Sequence, residues 1–303
     1  MLYFDLKKII KNKKTAFSLI ELSIVILIIG IIIVGATQGS RLVRQYKLSI
    51  ARSATQSSPV SSIPDLFLWL DSSSDKSFDN NVDDGIGIAN LYDINPQTSS
   101  KINFVQSTRI NQPTYKDGII NNLPVISFDG VDDVLVSANQ MSNLDFSSKN
   151  ETTVFFVANF YNNTMFPGYL SFEGTSTGER FYFTSFSSMS RFTYVLDITN
   201  SINGGSLLGG SKIVTLRNRN LKQSIYINGS SSAIANNTSA FQGFSGYMSI
   251  GAENFYLTYF MGYAKIEVAE VIIFKRGLGI EERLAVENYL SKKWGIKISV
   301  STT

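Results

Sequence analysis

Glu21 is the one charged side chain between Phe17 and Gly39. A charge at the centre of a bilayer costs roughly 2.5–3.5 kcal/mol. Glu21 lies four residues from Phe17, so snorkelling toward the interface lowers that cost. Two readings are open on local grounds: an acid tolerated near the end of an anchor helix, and an acid kept for a charged partner. Other chemistry is bounded by composition. The chain has no histidine and no cysteine, which excludes a Ser-His-Asp triad, a thiolate nucleophile and any His or Cys metal ligand.

Glycoside hydrolysis needs paired carboxylates facing one cleft. Glu267 and Glu270 are three residues apart in "KIEVAEVIIF". On a regular strand that spacing puts them on opposite faces. The expectation is therefore that the chain is not an enzyme. Asp79, Asn81 and Asp83 in "DNNVDDG" place oxygens at alternate positions, as a calcium loop does. Asp84 stands where an EF-hand needs glycine, and Asn90 where it needs the closing Glu, so a solvated acidic loop is the competing reading. Calcium is the only cofactor left open. "FDGVDD", Phe128–Asp133, reads as a tight turn.

Two aromatic stretches, "NFYNNTMFPGY" (Asn159–Tyr169) and "ENFYLTYFMGY" (Glu253–Tyr263), mix rings with Asn. Rings can stack on apolar sugar faces while amides bond hydroxyls. Tyr161, Phe166, Tyr256 and Tyr259 are the candidate ligand-binding residues; filling a core is the alternative use of the same rings.

The elements that carry these residues follow from patterning. Residues 1–16 hold five lysines and Asp5, so this leader carries +4 and the remainder −1, for a total of +3. The basic pI thus gives no reason to expect nucleic-acid binding by the body of the chain. Residues 17–39 are 23 in number, on the order of 35 Å as a helix and enough to cross a bilayer. The lysines before them set the N-terminus on the cytoplasmic side. Residues 40–56 are a polar extension of the helix, and the Pro/Ser-rich 57–64 reads as a linker.

Residues 65–298 then turn strand-like, rich in aromatic and β-branched residues between Gly, Asn, Asp and Ser. Strands are expected at 65–71, 124–130, 152–160, 168–174, 180–186, 191–198, 212–218, 222–228, 246–252 and 264–274. A hairpin turn is expected at Asn218-Arg219-Asn220. About ten strands in one run predict a β-sandwich. One helix, Gly279 to Gly295, follows, with Glu281 and Glu282 in its first turn and Lys292 and Lys293 in its last. Val286, Tyr289, Leu290 and Trp294 share the face expected to pack on the sandwich. Residues 299–303 are a tail.

"KKTAFSLIELSIVILIIGIIIVG" resembles the N-terminal segment of type IV pilins and type II secretion pseudopilins. The resemblance implies that a prepilin peptidase cuts between Ala16 and Phe17 and methylates the new amine of Phe17. It implies that Glu21, then the fifth residue, pairs with the Phe17 amine of a neighbouring subunit in a filament. This chain departs from the family in having Ala16 in place of glycine before the cut, and Gln38 near the usual helix proline.

"LFLWLDSSS", "LPVISFDGVDDVL" and "AEVIIFKRGLGIEERLAVENYLSKKWGI" resemble LamG-like jelly-roll domains of the concanavalin A-like lectin/glucanase superfamily. "LYDINPQTSS", with Tyr92 and Asp93, departs from the family's Trp-x-Asp-x-Ser-Gly-like loop. Together the two resemblances imply a mainly β, antiparallel jelly-roll sandwich with one C-terminal helix, on a long N-terminal transmembrane and stalk helix. They imply a minor subunit of a type IV pilus or related filament, with a lectin-like head for adhesion. The alternatives are a type II secretion pseudopilin, or a signal-anchored carbohydrate-binding protein outside any filament. The implied partners are other pilin-like subunits, the prepilin peptidase, the inner membrane, and a surface glycan or protein. The implied location is the inner membrane with a periplasmic head, then a surface pilus or periplasmic pseudopilus.

Overall fold

The computed structural model describes residues 18–79, 82–144, 151–161, 166–174, 180–186, 189–194, 201–236, 244–255 and 259–300. The chain forms two compact units, residues 1–46 and 47–303. Helix α1 runs Leu19–Gln56. Its described part in the first unit is apolar and exposed from Leu19 to Val34, apart from Glu21, Ser23 and Gly30. The helix ends where Pro59 follows, because proline cannot donate the next helical bond.

In the second unit the last turns of α1 are part of the packing. Ala51 and Thr55 are buried, and Arg52 Nε donates to the Ser73 carbonyl at 3.1 Å. The stretch expected as a linker is packed as well: Pro59–Ser61 form a 3₁₀ turn, with Val60 and Ile63 buried.

The rest of this unit is mainly β. Every strand pairing among the described residues is antiparallel. One sheet of eight strands has the spatial order Ser230–Asn236, Lys222–Ile227, Ser211–Arg219, Thr152–Phe160, Lys265–Phe274, Leu123–Asp129, Thr114–Ile120. Its eighth strand, Leu66–Asp71, also pairs with Lys265–Phe274. The second sheet has nine strands. Its centre is Arg180–Phe186, Leu170–Gly174, Phe244–Ile250 and Leu135–Ser137. The sheets face each other across a core that includes Phe104, Phe156, Phe172, Phe183, Ile225 and Val271.

The eight-stranded sheet is covered on its outer face too. Helix α2, Ile280–Trp294, lies there with Ala51, Val60 and Ile63. Strand Thr152–Phe160 therefore sends Val154, Phe156 and Ala158 inward, and Phe155 and Val157 toward α2. A strand buried on both faces has no polar alternation, which explains the unbroken "TTVFFVANF". Val286, Tyr289, Leu290 and Trp294 are buried as expected of the α2 face. Gly279 caps the helix, with its N–H donating to Glu282 Oε2 at 2.9 Å, and Gly295 ends it at φ +66°.

The hairpin turn differs from expectation. Arg219 pairs with Lys222, so the turn is Asn220-Leu221, both at positive φ (+52° and +58°). That is the backbone a tight two-residue hairpin requires.

Candidate functional site

At the start of α1, Ser18 and Glu21 form a reciprocal cap. The Ser18 N–H donates to Glu21 Oε2 at 2.9 Å, and the Ile20 N–H donates to Ser18 Oγ at 3.3 Å. The spacing is that of a Ser-x-x-Glu capping box, with the Ser18 hydroxyl taking the second helical N–H in place of the third. Ala16 and Phe17 lie outside the described residues. Among the described residues no helix is long and apolar enough to cross a membrane; the continuous run of described apolar side chains ends at Gly35.

The two aromatic stretches adjoin. The Gly168 N–H donates to the Gly262 carbonyl at 2.7 Å. Tyr182 Oη lies 2.8 Å from Glu253 Oε2 and 2.9 Å from the Phe166 carbonyl, so its one proton is shared between the two acceptors and ties both stretches to one strand. The approach needs glycine: a Cβ on Gly168 would stand 2.2 Å from the Glu253 nitrogen. Phe166 is half-buried at φ +59°, with the Arg191 guanidinium 5.6 Å from its ring centre. Tyr161 is 38% exposed. Its hydroxyl donates to Glu267 Oε2 at 2.8 Å, and Asn159 Nδ2 donates to the same oxygen at 2.8 Å. Ser211 in turn donates to Asn159 Oδ1 at 2.6 Å, and Lys265 Nζ lies 5.7 Å from the Tyr161 ring centre. Burial, followed by the bond to Glu267, pushes the Tyr161 hydroxyl up to about 12. Tyr161 is thus a partly exposed, protonated ring held by its hydroxyl. Tyr256 lies outside the described residues, and Tyr259 is described only as backbone, pairing with Phe255.

The acidic loops are occupied by their own hydrogen bonds. Asp79 accepts from Asn90 Nδ2 at 3.1 Å and from Tyr92 Oη at 2.5 Å. Asp83 is exposed, and Asn81 lies outside the described residues. Among the described residues the carboxylates that gather within 4.8 Å are those of Asp129, Asp132 and Asp133. They form the expected turn: Asp129 Oδ1 accepts the Val131 N–H at 2.7 Å, and Asp133 Oδ2 accepts the Asp129 N–H at 2.9 Å.

Glu267 and Glu270 overturn an expectation. The pairing of their strand with Thr152–Phe160 shifts register between Val268 and Glu270, a β-bulge. Val268 and Val271 face the inter-sheet core, while Ala269 and Ile272 lie in the cluster under α2. Glu270 bonds Trp69 and Trp294, and Glu267 bonds Asn159, which alternates with Phe155 and Val157, so both acids sit on the α2 side of the sheet. Their surroundings differ sharply. Glu270 is 1% exposed and accepts from Trp69 Nε1 (2.7 Å), Trp294 Nε1 (2.7 Å), Tyr289 Oη (2.8 Å) and Lys293 Nζ (2.8 Å). Lys293 also reaches Asp71 Oδ2 at 2.7 Å and Thr55 Oγ1 at 2.8 Å. Burial pushes the Glu270 carboxyl up and Lys293 opposes it, while the Asp71 charge raises it further. A second buried pair joins Arg283 to Glu287 at 2.8 Å beneath α2, where Thr215 Oγ1 also donates to Glu287. Local sequence patterning does not mark Asp71, Glu270 or Lys293 as buried, because they come together from different elements; Arg283 and Glu287 are four apart on α2 and read locally as an exposed helix pair.

Residues 11–37 match the prokaryotic N-terminal methylation motif. No curated protein sequence matches the chain. Among solved structures, a Trypanosoma rangeli sialidase in complex with the inhibitor DANA is 14% identical, with a TM-score of 0.49 over 75% of this chain and 33% of the sialidase. The binding domain of botulinum neurotoxin serotype D/C is 13% identical, with a TM-score of 0.48 over 75% of this chain and 52% of that one. The CBM40 domain of Ruminococcus gnavus IT-sialidase, bound to α2,3-sialyllactose, is 12% identical, with a TM-score of 0.40 over 46% and 83%. The chain spans about a third of the length of the sialidase it resembles. Such similarity concerns the fold alone.

The expectation that the chain is not an enzyme does not stand. Sialidases occur among the similar structures beside binding domains. The bulge at Ala269 also removes the opposite-face argument on which that expectation rested.

Proposed function

We propose that the protein is a pilin-like subunit that enters a filament through its N-terminal helix and displays a lectin-like β head. The observation that carries this reading is the methylation motif over residues 11–37, with Glu21 at its centre. The exposed apolar side chains of α1 from Leu19 to Val34 support it, because such a surface needs lipid or neighbouring helices as cover. In this reading residues 17–39 anchor the subunit in the inner membrane before assembly. Prepilin peptidase cuts after Ala16 and methylates Phe17. Glu21 then pairs with the Phe17 amine of the adjacent subunit. A bulky head suits a minor subunit, since each copy must fit around a shared helical bundle. The head is read as a jelly roll of the concanavalin A-like type. Tyr161, Phe166, Tyr256 and Tyr259 are its proposed contacts to a surface glycan.

Mass spectrometry of protein purified from its native membrane tests the reading. An N-methylated Phe17 is the expected N-terminus. An intact Met1 would overturn it in favour of a signal-anchored surface lectin. A type II secretion pseudopilin is the second reading, favoured by the absence of proline from Leu19–Gln56. Recovery of the subunit in sheared surface filaments separates pilus from pseudopilus.

A further inference from the structure

A cavity of about 350 Å³ opens in the head, and neither Tyr161 nor Phe166 lines it. Its wall joins both sheets through Leu66–Phe67 and Lys275 on one side and Asn139–Met141 on the other, closed by the loop from Thr98 to Asn103. Among the described residues that line it are two lysines, Lys101 and Lys275, and no carboxylate. The amides of Asn103, Asn139 and Gln140 stand with them, and the Phe67 ring supplies an apolar floor.

The loop that closes the cavity is held from behind. Asp93, 4% exposed, accepts the N–H groups of Trp69 (3.0 Å), Asn95 (2.9 Å) and Ile102 (3.2 Å). Asn95 Nδ2 donates to the Leu66 carbonyl at 2.9 Å, and Gln97 Oε1 accepts the Leu66 N–H at 3.2 Å. Both ends of the loop are thereby pinned to the first strand before any ligand arrives, which lowers the ordering cost of binding. Asn103 Oδ1 accepts the Asp93 N–H at 3.1 Å, so its amide hydrogens are the group it offers a ligand. Lys101 gives one hydrogen to the Asn95 carbonyl, and an ammonium has two more. Lys275 Nζ lies 5.7 Å from the Phe67 ring centre, which sets a positive charge beside an apolar face.

We propose that this cavity binds a sugar unit carrying a carboxylate. The two ammonium groups select a negative charge. The amides, with the hydroxyls of Thr98 and Ser100, match an array of sugar hydroxyls. Phe67 matches the apolar face of a pyranose ring. The volume is at the lower end of ligand-sized cavities and admits one substituted ring. A small inorganic anion would leave the amides and the apolar floor unused. The inference rests on the reading of the head as a saccharide binder and adds to it a place and a charge.

Calorimetry on the full chain in detergent tests this, with 3′-sialyllactose and digalacturonate as carboxylated probes and lactose and acetate as controls. At least one carboxylated sugar is expected to bind, with neither control binding. Lys101→Gln and Lys275→Gln are each expected to weaken that binding about tenfold, the scale of one charge-assisted hydrogen bond. Both lysines are exposed, so unchanged thermal unfolding is expected to accompany the loss. Raising the salt concentration weakens binding of the wild type more than that of either variant. Lactose binding as tightly as the acidic sugars overturns the charge assignment, and acetate binding as tightly overturns the saccharide assignment. Acidic-sugar binding that survives both substitutions but is lost in Tyr161→Ala overturns this cavity and leaves the head a lectin. Absence of any saccharide binding overturns both readings.

Discussion

Glu21 Oε2 accepts the Ser18 N–H at 2.9 Å, so within one chain this acid closes the first turn of its own helix. The assembly role proposed for Glu21 needs the same carboxylate to face a neighbour's amine. The two uses separate by substitution. Glu21→Gln keeps an oxygen for the cap and loses the charge; Glu21→Ala loses both. The cap is worth about 0.5–2 kcal/mol locally. If the charge sets assembly, both variants insert in the membrane and both are absent from sheared filaments. If the Glu21→Gln variant still assembles, the cap was the requirement and the proposed pairing with Phe17 fails.

Lys293 is the one cation, among the described residues, that bonds both Asp71 and Glu270 in the buried cluster. Lys293→Met takes away the positive partner of two buried carboxylates. Breaking one side of a buried ion pair costs about 3–5 kcal/mol. The expected outcome in chemical denaturation is a loss of that size at pH 7. It shrinks as the pH falls, because the Glu270 carboxyl, already pushed up by burial, then takes a proton. A loss that does not depend on pH would show that packing of the lysine stem, not its charge, is what matters. Thr55 belongs to the same cluster, so the substitution also loosens the last turn of α1 from the head.

What the sequence reveals and what it hides differ by the range of the interaction. Helix α2 was readable to within a residue, because Gly279, Glu282 and Gly295 act within a turn of the residues they cap. The long strands 152–160 and 264–274 were readable from composition alone. Strand Thr114–Ile120 was not, since Lys116, Asp117 and Gly118 interrupt any alternation and its pairing with Leu123–Asp129 is itself irregular. Lys293 looks like a solvated charge at a helix end; only Asp71 and Glu270, more than 20 residues away on other elements, make it a core residue. The bulge at Ala269 leaves no local signal either, because an alanine in a strand looks the same in or out of register. At the candidate sites, the Ser18-x-x-Glu21 cap was present as a local motif. The cavity between Lys101 and Lys275 joins segments 174 positions apart and could not be read from spacing.

Asp133 gives the head a pH dependence of known sign. Burial first, with the charges of Asp129 and Asp132, pushes its carboxyl from the ordinary 3.8 up to about 6. The folded state then binds more protons than the unfolded state between these values. Its contribution to stability is full below about pH 4 and is lost as the pH rises through about 6. Asp133→Asn stays neutral and can still accept the Asp129 N–H. The variant is expected to gain stability relative to the wild type from pH 4 to 6 and to hold that gain above pH 6. Melting temperatures across pH 4–7 check this; a constant difference would show that Asp133 titrates normally.

Gly168 is where the two aromatic stretches meet. An alanine there would bring its Cβ to 2.2 Å from the Glu253 nitrogen and 2.3 Å from the Ala252 carbonyl carbon, both backbone atoms that no rotamer change can move. The two segments must separate, which stretches the Gly168 N–H to Gly262 bond of 2.7 Å. Overpacking of this kind costs about 1–3 kcal/mol. Phe166 and the paired strands Glu253–Phe255 and Tyr259–Met261 shift with it, whereas the cavity at Lys101 and Lys275 is lined by other segments. Gly168→Ala is therefore expected to lower the melting temperature and to disturb any ligand held by Tyr161 and Phe166. Binding of a carboxylated sugar at the lysine cavity is expected to be unchanged at temperatures below the transition. Equal loss of both would show that the two regions share one site.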